Sequence, residues 1–439
     1  MITLGSCIGM GFFLASPDAI SRAGPGVLFT YVVASGIVFL VLRALGELLL
    51  FRPVSGSFAC YADEFIGKWA GFVTGWAYWL LNVVVGTAQI TAAGILLSYW
   101  YPRLPQWISA LTALLFLYAI NLCSARTFGE FAVWLSALKV ITVLGVVLFG
   151  LAVALGGGGG GPGIADLGAG AGLFPQGVHG LLLALPVALV GFIGAEAIGT
   201  TAGEAADPSV TIPRAIRHVT VLLGACYVGS LLVIMMFLPW NRIAGGVSPF
   251  VALFDQLDIP AAATVVNVVL VTAVLSAGNS EIYSTGRMLF ALAGSGYAPA
   301  RAARVNARGV PVAGISASSL VALAGVGLNF LIPSRAFGYV VGVASGLALW
   351  VWGVTVVAHL RYRRLVDTGV VEASGFRMPG TPLTDWVVLL VLAATFVGMA
   401  VDVDGWAVLF VVLALSLLAV AAFWTQSRTS SPGSPHAHG

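Results

Sequence analysis

Charge is what this chain has least of. Only 8% of its 439 residues are Asp, Glu, Lys or Arg, where a soluble domain carries about 25%. That scarcity excludes an ordinary water-facing surface. With 59% hydrophobic residues and a mean hydropathy of +1.01, it implies an integral membrane protein whose surroundings are the lipid bilayer. The net charge of +3 is too small to point to nucleic acid. Cysteine is scarce too. Cys7, Cys60, Cys123 and Cys226 are scattered, with no CxxC pair and no Cys/His ligand spacing, so neither a disulfide frame nor a zinc site is expected. No basic n-region precedes the first apolar stretch, so no cleavable signal peptide is expected. The chain lacks a cofactor motif, an HExxH pair, an acidic metal cluster and a convincing nucleophile–base set. A bound cofactor or metal is therefore not expected, and an enzyme is the least favoured class.

Long apolar runs are what the chain has instead. A span needs roughly 20 such residues. Twelve candidates follow: 1–20, 27–50, 69–98, 106–123, 131–155, 180–203, 217–239, 262–293, 312–332, 335–359, 385–401 and 404–425. The expected fold class is all-α and polytopic, one transmembrane domain over 1–425. With the N-terminus cytoplasmic, 14 of the 20 basic residues fall in inner connections or the tail and four (Arg22, Arg103, Arg242, Arg335) in outer loops, which sets the orientation and puts both termini inside. The glycine run Gly156 to Gly161 reads as a connector. The Ser/Pro/His-rich tail 426–439, with His436 and His438, reads as solvated and disordered rather than metal-binding.

Two spans are broken by dense glycines: Gly5, Gly9 and Gly11 in the first, and Gly191, Gly194, Gly199 and Gly203 in the sixth. Each costs a lipid-facing helix about 1 kcal/mol, and non-helical backbone at membrane depth survives only against protein or a water-filled cavity. Breaks at positions one and six suggest two five-helix halves, 1–155 and 180–359, inverted relative to each other, with 385–425 outside the repeat. Matched breaks are a pointer to a transporter's binding site; close helix packing by small residues is the plainer alternative. A broken helix exposes N–H groups at the start of its second half and C=O groups at the end of its first. The amides around Gly9, Met10 and Gly11 suit a carboxylate, and the carbonyls around Val190 and Ile193 an ammonium. Together they suit a zwitterion, hence an amino acid.

Ionisable residues within spans are costly and so are functional candidates. Lys139 lies nine residues beyond Glu130, about 13 Å up the fifth span. It could exchange a proton during transport, replace a bound cation as a fixed charge, or only tether the broken first span. Glu196, just after the second break, could gate, couple to protons or hold the unwound segment. Glu281, deep in the eighth span, needs a partner: Lys139, a substrate cation or a proton. Gln89 is a polar membrane residue of unassigned purpose. Arg43 and Glu47, spaced i, i+4, read as a helix-end ion pair or gate element. Glu204 and Asp207 read as part of a rigid turn. His179, His218 and His359, near span ends, read as solvated.

The segments GSCIGMGFFLAS, RALGEL, PVSGSFACYADEFIG, FGEFAVWLSALKVIT, TAGEAADPSVTIPRAI and NSEIYSTGRMLFALAGSGYAP resemble, in order, those of the amino acid transporter branch of the amino acid–polyamine–organocation superfamily. The resemblance covers about residues 4–425. It implies a 5+5 inverted-repeat core with two extra helices and proton-coupled amino acid uptake across the bacterial cytoplasmic membrane. It implies that the amides of Met10 and Gly11 bind the α-carboxylate and the carbonyls of Cys7, Val190 and Ile193 the α-amino group, with Gly9, Gly194 and Ala195 in the same unwound segments. It also implies that Lys139 fills a position held by sodium in sodium-coupled relatives and that position 281 faces the substrate chamber. Four departures stand out. Met10 replaces a small Thr. Gln89 replaces Glu or Asp. Glu281 replaces a small residue, so it either selects a polar or cationic substrate side chain or serves as a coupling site. The basic segment and first half-helix that normally precede the first break are missing, so Met1 is expected to be a misassigned start or the chain a fragment.

The expectation is a secondary transporter that imports an amino acid with protons by alternating access, with Lys139, Glu196 and Glu281 as coupling or gating groups. The rivals are an amino acid exchanger and a non-transporting nutrient receptor. Substrate identity and oligomeric state are not legible in the sequence.

Overall fold

Inside a bilayer the backbone must satisfy its own polar groups, which leaves helices for a chain this apolar. The computed structural model describes residues 7–54, 57–123, 125–156, 172–201, 207–243, 247–306, 309–401 and 405–429. Among these residues there are helices and no strand. Gly5, Ser6, Gly203, Glu204, the glycines 157–161, His436 and His438 lie outside the described residues.

The elements in order are α1 (Met10–Phe13), α2 (Ser16–Ala23), α3 (Val27–Phe51), α4 (Ser57–Phe65), α5 (Lys68–Leu97), α6 (Gln106–Cys123), α7 (Ala125–Gly156) and α8 (Gly177–Val190). They continue with α9 (Ala197–Thr201), α10 (Pro208–Phe237), α11 (Pro249–Gln256), α12 (Pro260–Gly294), α13 (Val312–Leu331), α14 (Pro333–Asp367), α15 (Leu383–Val401) and α16 (Gly405–Thr429). Among the described residues, nine stretches are long and apolar enough to cross a membrane, the first running from Met10 to Phe51, and the shorter apolar helices Gln106–Leu122 and Gly177–Val190 stand beside them. Eleven of the expected spans coincide with these helices; the other, 1–20, is described only from Cys7. The short helices α4 and α11 were not expected as elements. Proline opens α10, α11, α12 and α14, at the position where its missing N–H has no helical partner to lose. Gly67, at φ +136°, makes the corner between α4 and α5 in a conformation that side chains rarely adopt.

The core is built on α5, 78% of whose central window is buried, whereas α15 and α16 are 28% and 22% buried and form the periphery. Helix α5 packs along α12 and α14, α3 packs along α10, and α8 lies against α2 and α3. The two broken segments are therefore neighbours.

Two sequence expectations are corrected at one end of this bundle. His359 is fully buried, not solvated. Its Nδ1 lies 2.6 Å from Asp385 Oδ1 and its Nε2 3.0 Å from Glu47 Oε2. The imidazole thus bridges the two carboxyl groups. Glu47 does not pair with Arg43. It accepts from Arg363 Nη1 at 3.1 Å and from the Met378 N–H at 2.7 Å, while Thr381 Oγ1 donates to Asp385 at 2.9 Å. Glu47 and Asp385 thus meet His359 and Arg363, and α3, α14 and α15 are tied together. Arg43 instead stacks over the Phe376 ring, 3.6 Å from its centroid, and donates to the Arg377 carbonyl. Removing one member of a buried ionic cluster leaves the other charges uncompensated, at about 3–5 kcal/mol. Glu47→Ala is therefore expected to lower the unfolding temperature of the detergent-solubilised protein strongly, and Glu47→Asp less. An unchanged unfolding temperature in Glu47→Ala would remove the cluster from the forces that hold these helices.

Candidate functional site

The first break begins at Gly9, whose φ of −149° and ψ of −141° take the chain out of helix before α1. A helix start leaves its first N–H groups without partners in the chain. Phe12 and Phe13 both donate to Gly9 O at 3.1 Å. The Met10 N–H is taken by Gln89 Oε1 of α5, at 3.0 Å and fully inside the protein. Gln89 is seated by two glycines. A Cβ on Gly9 would lie 2.5 Å from Gln89 Nε2, and one on Gly278 would lie 3.2 Å from Gln89 Cβ. Gln89, whose purpose the sequence left unassigned, is thus the side chain that closes the first break.

The second break runs over residues 191–196 as successive turns. Three-residue hydrogen bonds replace the helical ladder: Gly191 N–H to Ala188 O, Phe192 N–H to Leu189 O, Ile193 N–H to Val190 O and Ala195 N–H to Phe192 O, at 3.0–3.2 Å. Gly194 sits at φ +99°, and its N–H donates to both carboxylate oxygens of Glu196 at 3.1 Å. Tyr227 of α10 donates its hydroxyl to Gly191 O at 2.6 Å. Glu196 and Tyr227 therefore hold the unwound turn from two sides.

The two breaks touch. A Cβ on Gly11 would lie 2.9 Å from Gly191 Cα and 3.0 Å from Val190 O. Close packing and unwinding, which the sequence posed as alternatives, are here both present: Gly11 serves the approach of two backbones, Gly191 makes room for the Tyr227 hydroxyl, which a Cβ there would meet at 2.5 Å, and Gly9 and Gly194 serve the breaks.

A small cavity of ≈ 20 Å³ adjoins the second break, room for about one water. Ile193, Gly194, Glu196 and Ala197 line it from the broken segment, Tyr78, Asn82 and Val85 from α5, and Glu281 and Ser284 from α12. Lys139 is buried on α7 at 1% exposure, and Cys7 lies within electrostatic reach of Lys139, Glu196 and Glu281. Of the expected site residues, Ile193, Gly194, Glu196 and Glu281 share this cavity. Cys7, Gly9, Met10, Gly11, Val190, Ala195 and Lys139 are buried but do not line it. The sequence reading missed Tyr78, Asn82 and Val85. With Gln89 they recur at spacings of four, three and four, the mark of one helix face, so a polar stripe on the third span was the available signal.

A second, larger cavity of ≈ 590 Å³ opens beside α2, α8 and the first turns of α14, with Asp18, Arg22, Ser98, Gln106, Pro333 and Gly398 among its walls. These are the ends that the basic-residue pattern puts outside. Its volume lies within the range of small-molecule pockets, roughly 300–1,000 Å³. No residue lines both cavities.

Two outcomes follow from this geometry. Gly11→Ala forces a methyl onto backbone that cannot turn away, and overpacking of this kind costs about 1–3 kcal/mol; a lower unfolding temperature is expected, and none for Gly36→Ala, where a Cβ meets open space. Gln89→Ala orphans the buried Met10 N–H, a loss of about 1–3 kcal/mol, whereas Gln89→Glu keeps an acceptor and is expected to retain more of the stability. Equal losses in the two Gln89 variants would mean that the Met10 bond contributes nothing.

Comparison with known proteins fits this architecture. The profile of the amino acid permease family matches residues 1–429. The aromatic amino acid transport protein AroP of Escherichia coli is 38% identical over 428 residues, covering 95% of this chain and 93% of that protein. The L-asparagine permease of Streptomyces coelicolor is 38% identical over 399 residues, covering 90% and 82%, and the amino-acid permease AapA of Bacillus subtilis is 36% identical over 431 residues, covering 98% and 93%. Among solved structures, a manganese transporter of Eremococcus coleocola shares the fold, with a TM-score of 0.57 at 15% identity, covering 97% of this chain and 94% of that one. With its all-helical membrane fold and its two broken segments in contact, this chain belongs to the amino acid permease family.

Proposed function

We propose that the protein imports an amino acid across the bacterial cytoplasmic membrane by proton symport, through alternating access around the paired breaks. The fold is read as one transmembrane domain, 1–425, in two inverted five-helix halves, 1–155 and 180–359, with two further helices in 385–425, a tail of 426–439 and both termini cytoplasmic. The relatives' names, which mention aromatic amino acids and L-asparagine, support an amino acid as cargo. The single observation that carries the reading is the contact of two unwound segments deep in the protein, where a Cβ on Gly11 would lie 2.9 Å from Gly191 Cα.

In this reading the α-carboxylate takes the place of Gln89 Oε1 on the Met10 amide and is held there together with the Gly11 amide, Gly9 giving the turn. The carbonyls of Cys7, Val190 and Ile193 hold the α-ammonium, beside Gly194 and Ala195. The substrate enters through the ≈ 590 Å³ cavity, which faces outward. The ≈ 20 Å³ cavity must widen to receive it, so loading is coupled to movement of the broken segments. Lys139, buried beside Cys7, is the proton-coupling group, Glu196 holds and gates the second break, and Glu281 faces the cargo.

The test is uptake into proteoliposomes with a panel of radiolabelled amino acids, with and without an inwardly directed proton gradient. Accumulation driven by the gradient is expected, rising as the outer pH falls, and Lys139→Ala is expected to abolish the gradient response. Uptake only into vesicles preloaded with amino acid, indifferent to the gradient, would replace symport by exchange and make Lys139 a structural charge.

A further inference from the structure

The central cavity contains one carboxyl that the protein leaves unanswered. Glu281 lines it from α12 at 6% exposure, and among the described residues no N–H or O–H hydrogen-bonds to it. Native proteins pair more than nine-tenths of their buried polar groups, so an exception of this kind calls for a partner. The donors nearest to hand are spent elsewhere. Asn82 Nδ2 donates to Tyr78 O at 2.6 Å, and the Gly194 N–H goes to Glu196. Glu196 faces the same cavity. Tyr78 and Ser284 also line the cavity and bring hydroxyls that can donate or accept, but no basic side chain is among the lining residues to answer the two carboxyls. A ligand with N–H groups and positive charge supplies that answer, since an ionised carboxylate buried without a cation is unfavourable by several kcal/mol. Leu81, Val85 and Ile193 in the same wall are apolar and suit a methylene stem.

We propose that this cavity is the side-chain subsite for a cationic amino acid, its ammonium or guanidinium end seated between Glu281 and Glu196 and its methylenes lying on Leu81, Val85 and Ile193. The proposal rests on the amino acid site described above: of the carbonyls assigned there to the α-ammonium, only that of Ile193 belongs to a residue lining this cavity, so Glu281 is left for the far end of the substrate. A charge at position 281 then selects among amino acids, and the cargo differs in class from an aromatic one.

The experiment compares isosteres that differ at the charged end: arginine against citrulline, and lysine against 2-aminoheptanoic acid, whose terminal methyl replaces the ammonium. Binding is measured by calorimetry on the full-length protein in lipid nanodiscs at neutral pH. The cationic member of each pair is expected to bind tighter by about ten-fold or more, as a charge-assisted hydrogen bond implies. In Glu281→Gln both ratios are expected to fall to about one. The wild-type ratios need no variant, so a poorly folding Glu281→Gln does not decide the matter. Equal or inverted ratios in the wild type overturn the proposal, and so do ratios that Glu281→Gln leaves intact, which would seat the cation elsewhere. If neutral amino acids bind well and Glu281→Gln alters only the pH dependence of binding, Glu281 is a proton site and the subsite is refuted while the amino acid site stands. Binding of none of the four, by protein that unfolds cooperatively, refutes the amino acid site itself.

Discussion

A helix interrupted inside a membrane releases backbone N–H and C=O groups where no water answers them, and each costs several kcal/mol unless the protein supplies a partner. Three side chains supply them here. Gln89 accepts from the Met10 N–H, Glu196 accepts from the Gly194 N–H, and Tyr227 donates to Gly191 O. They come from α5, from the end of the second break itself, and from α10. The breaks are thus held by the bundle around them, and α5, the core helix, supplies the side chain that holds the first. The glycines divide the remaining work: Gly9 and Gly194 turn the chain, Gly11 lets the two turns touch, and Gly191 leaves room for Tyr227.

The same accounting explains why the centre of the protein is polar in an uneven way. The Asn82 amide is engaged by a carbonyl and the Gly194 N–H by Glu196, while two carboxyls line the cavity beside Tyr78 and Ser284. The two ends of the molecule are uneven as well. One end opens as a cavity of ≈ 590 Å³ between α2, α8 and α14. Toward the other end of α3 and α14, the Glu47, His359, Arg363 and Asp385 side chains lock those helices to α15 in a cluster from which water is excluded.

Much of this was legible in the chain itself. Hydropathy located eleven spans that coincide with helices, since a run of some 20 apolar residues has few other uses. Glycine density located the interruptions at Gly9 and at 191–196, because no lipid-facing helix keeps so many. The cost of burying charge singled out Lys139, Glu196 and Glu281, and all three are buried. These are local properties, fixed by the composition of a short window.

Partners were not legible. The i, i+4 spacing of Arg43 and Glu47 suggested a pair, yet Arg43 lies on Phe376 and Glu47 binds a histidine 312 residues away. His359 read as solvated because it stands near the end of an apolar run, but α14 continues to Asp367 and carries it into the interior. Gln89 could be recognised as polar and costly, though not as the acceptor for an amide 79 positions earlier. The sequence by itself determined where the chain enters the membrane, where it breaks and which charges are buried, because period and transfer energy act within a window. Only the tertiary structure decided which groups meet, because pairing at membrane depth depends on how separate helices pack, and the strong penalty on an unpartnered polar group enforces that choice without leaving a local trace.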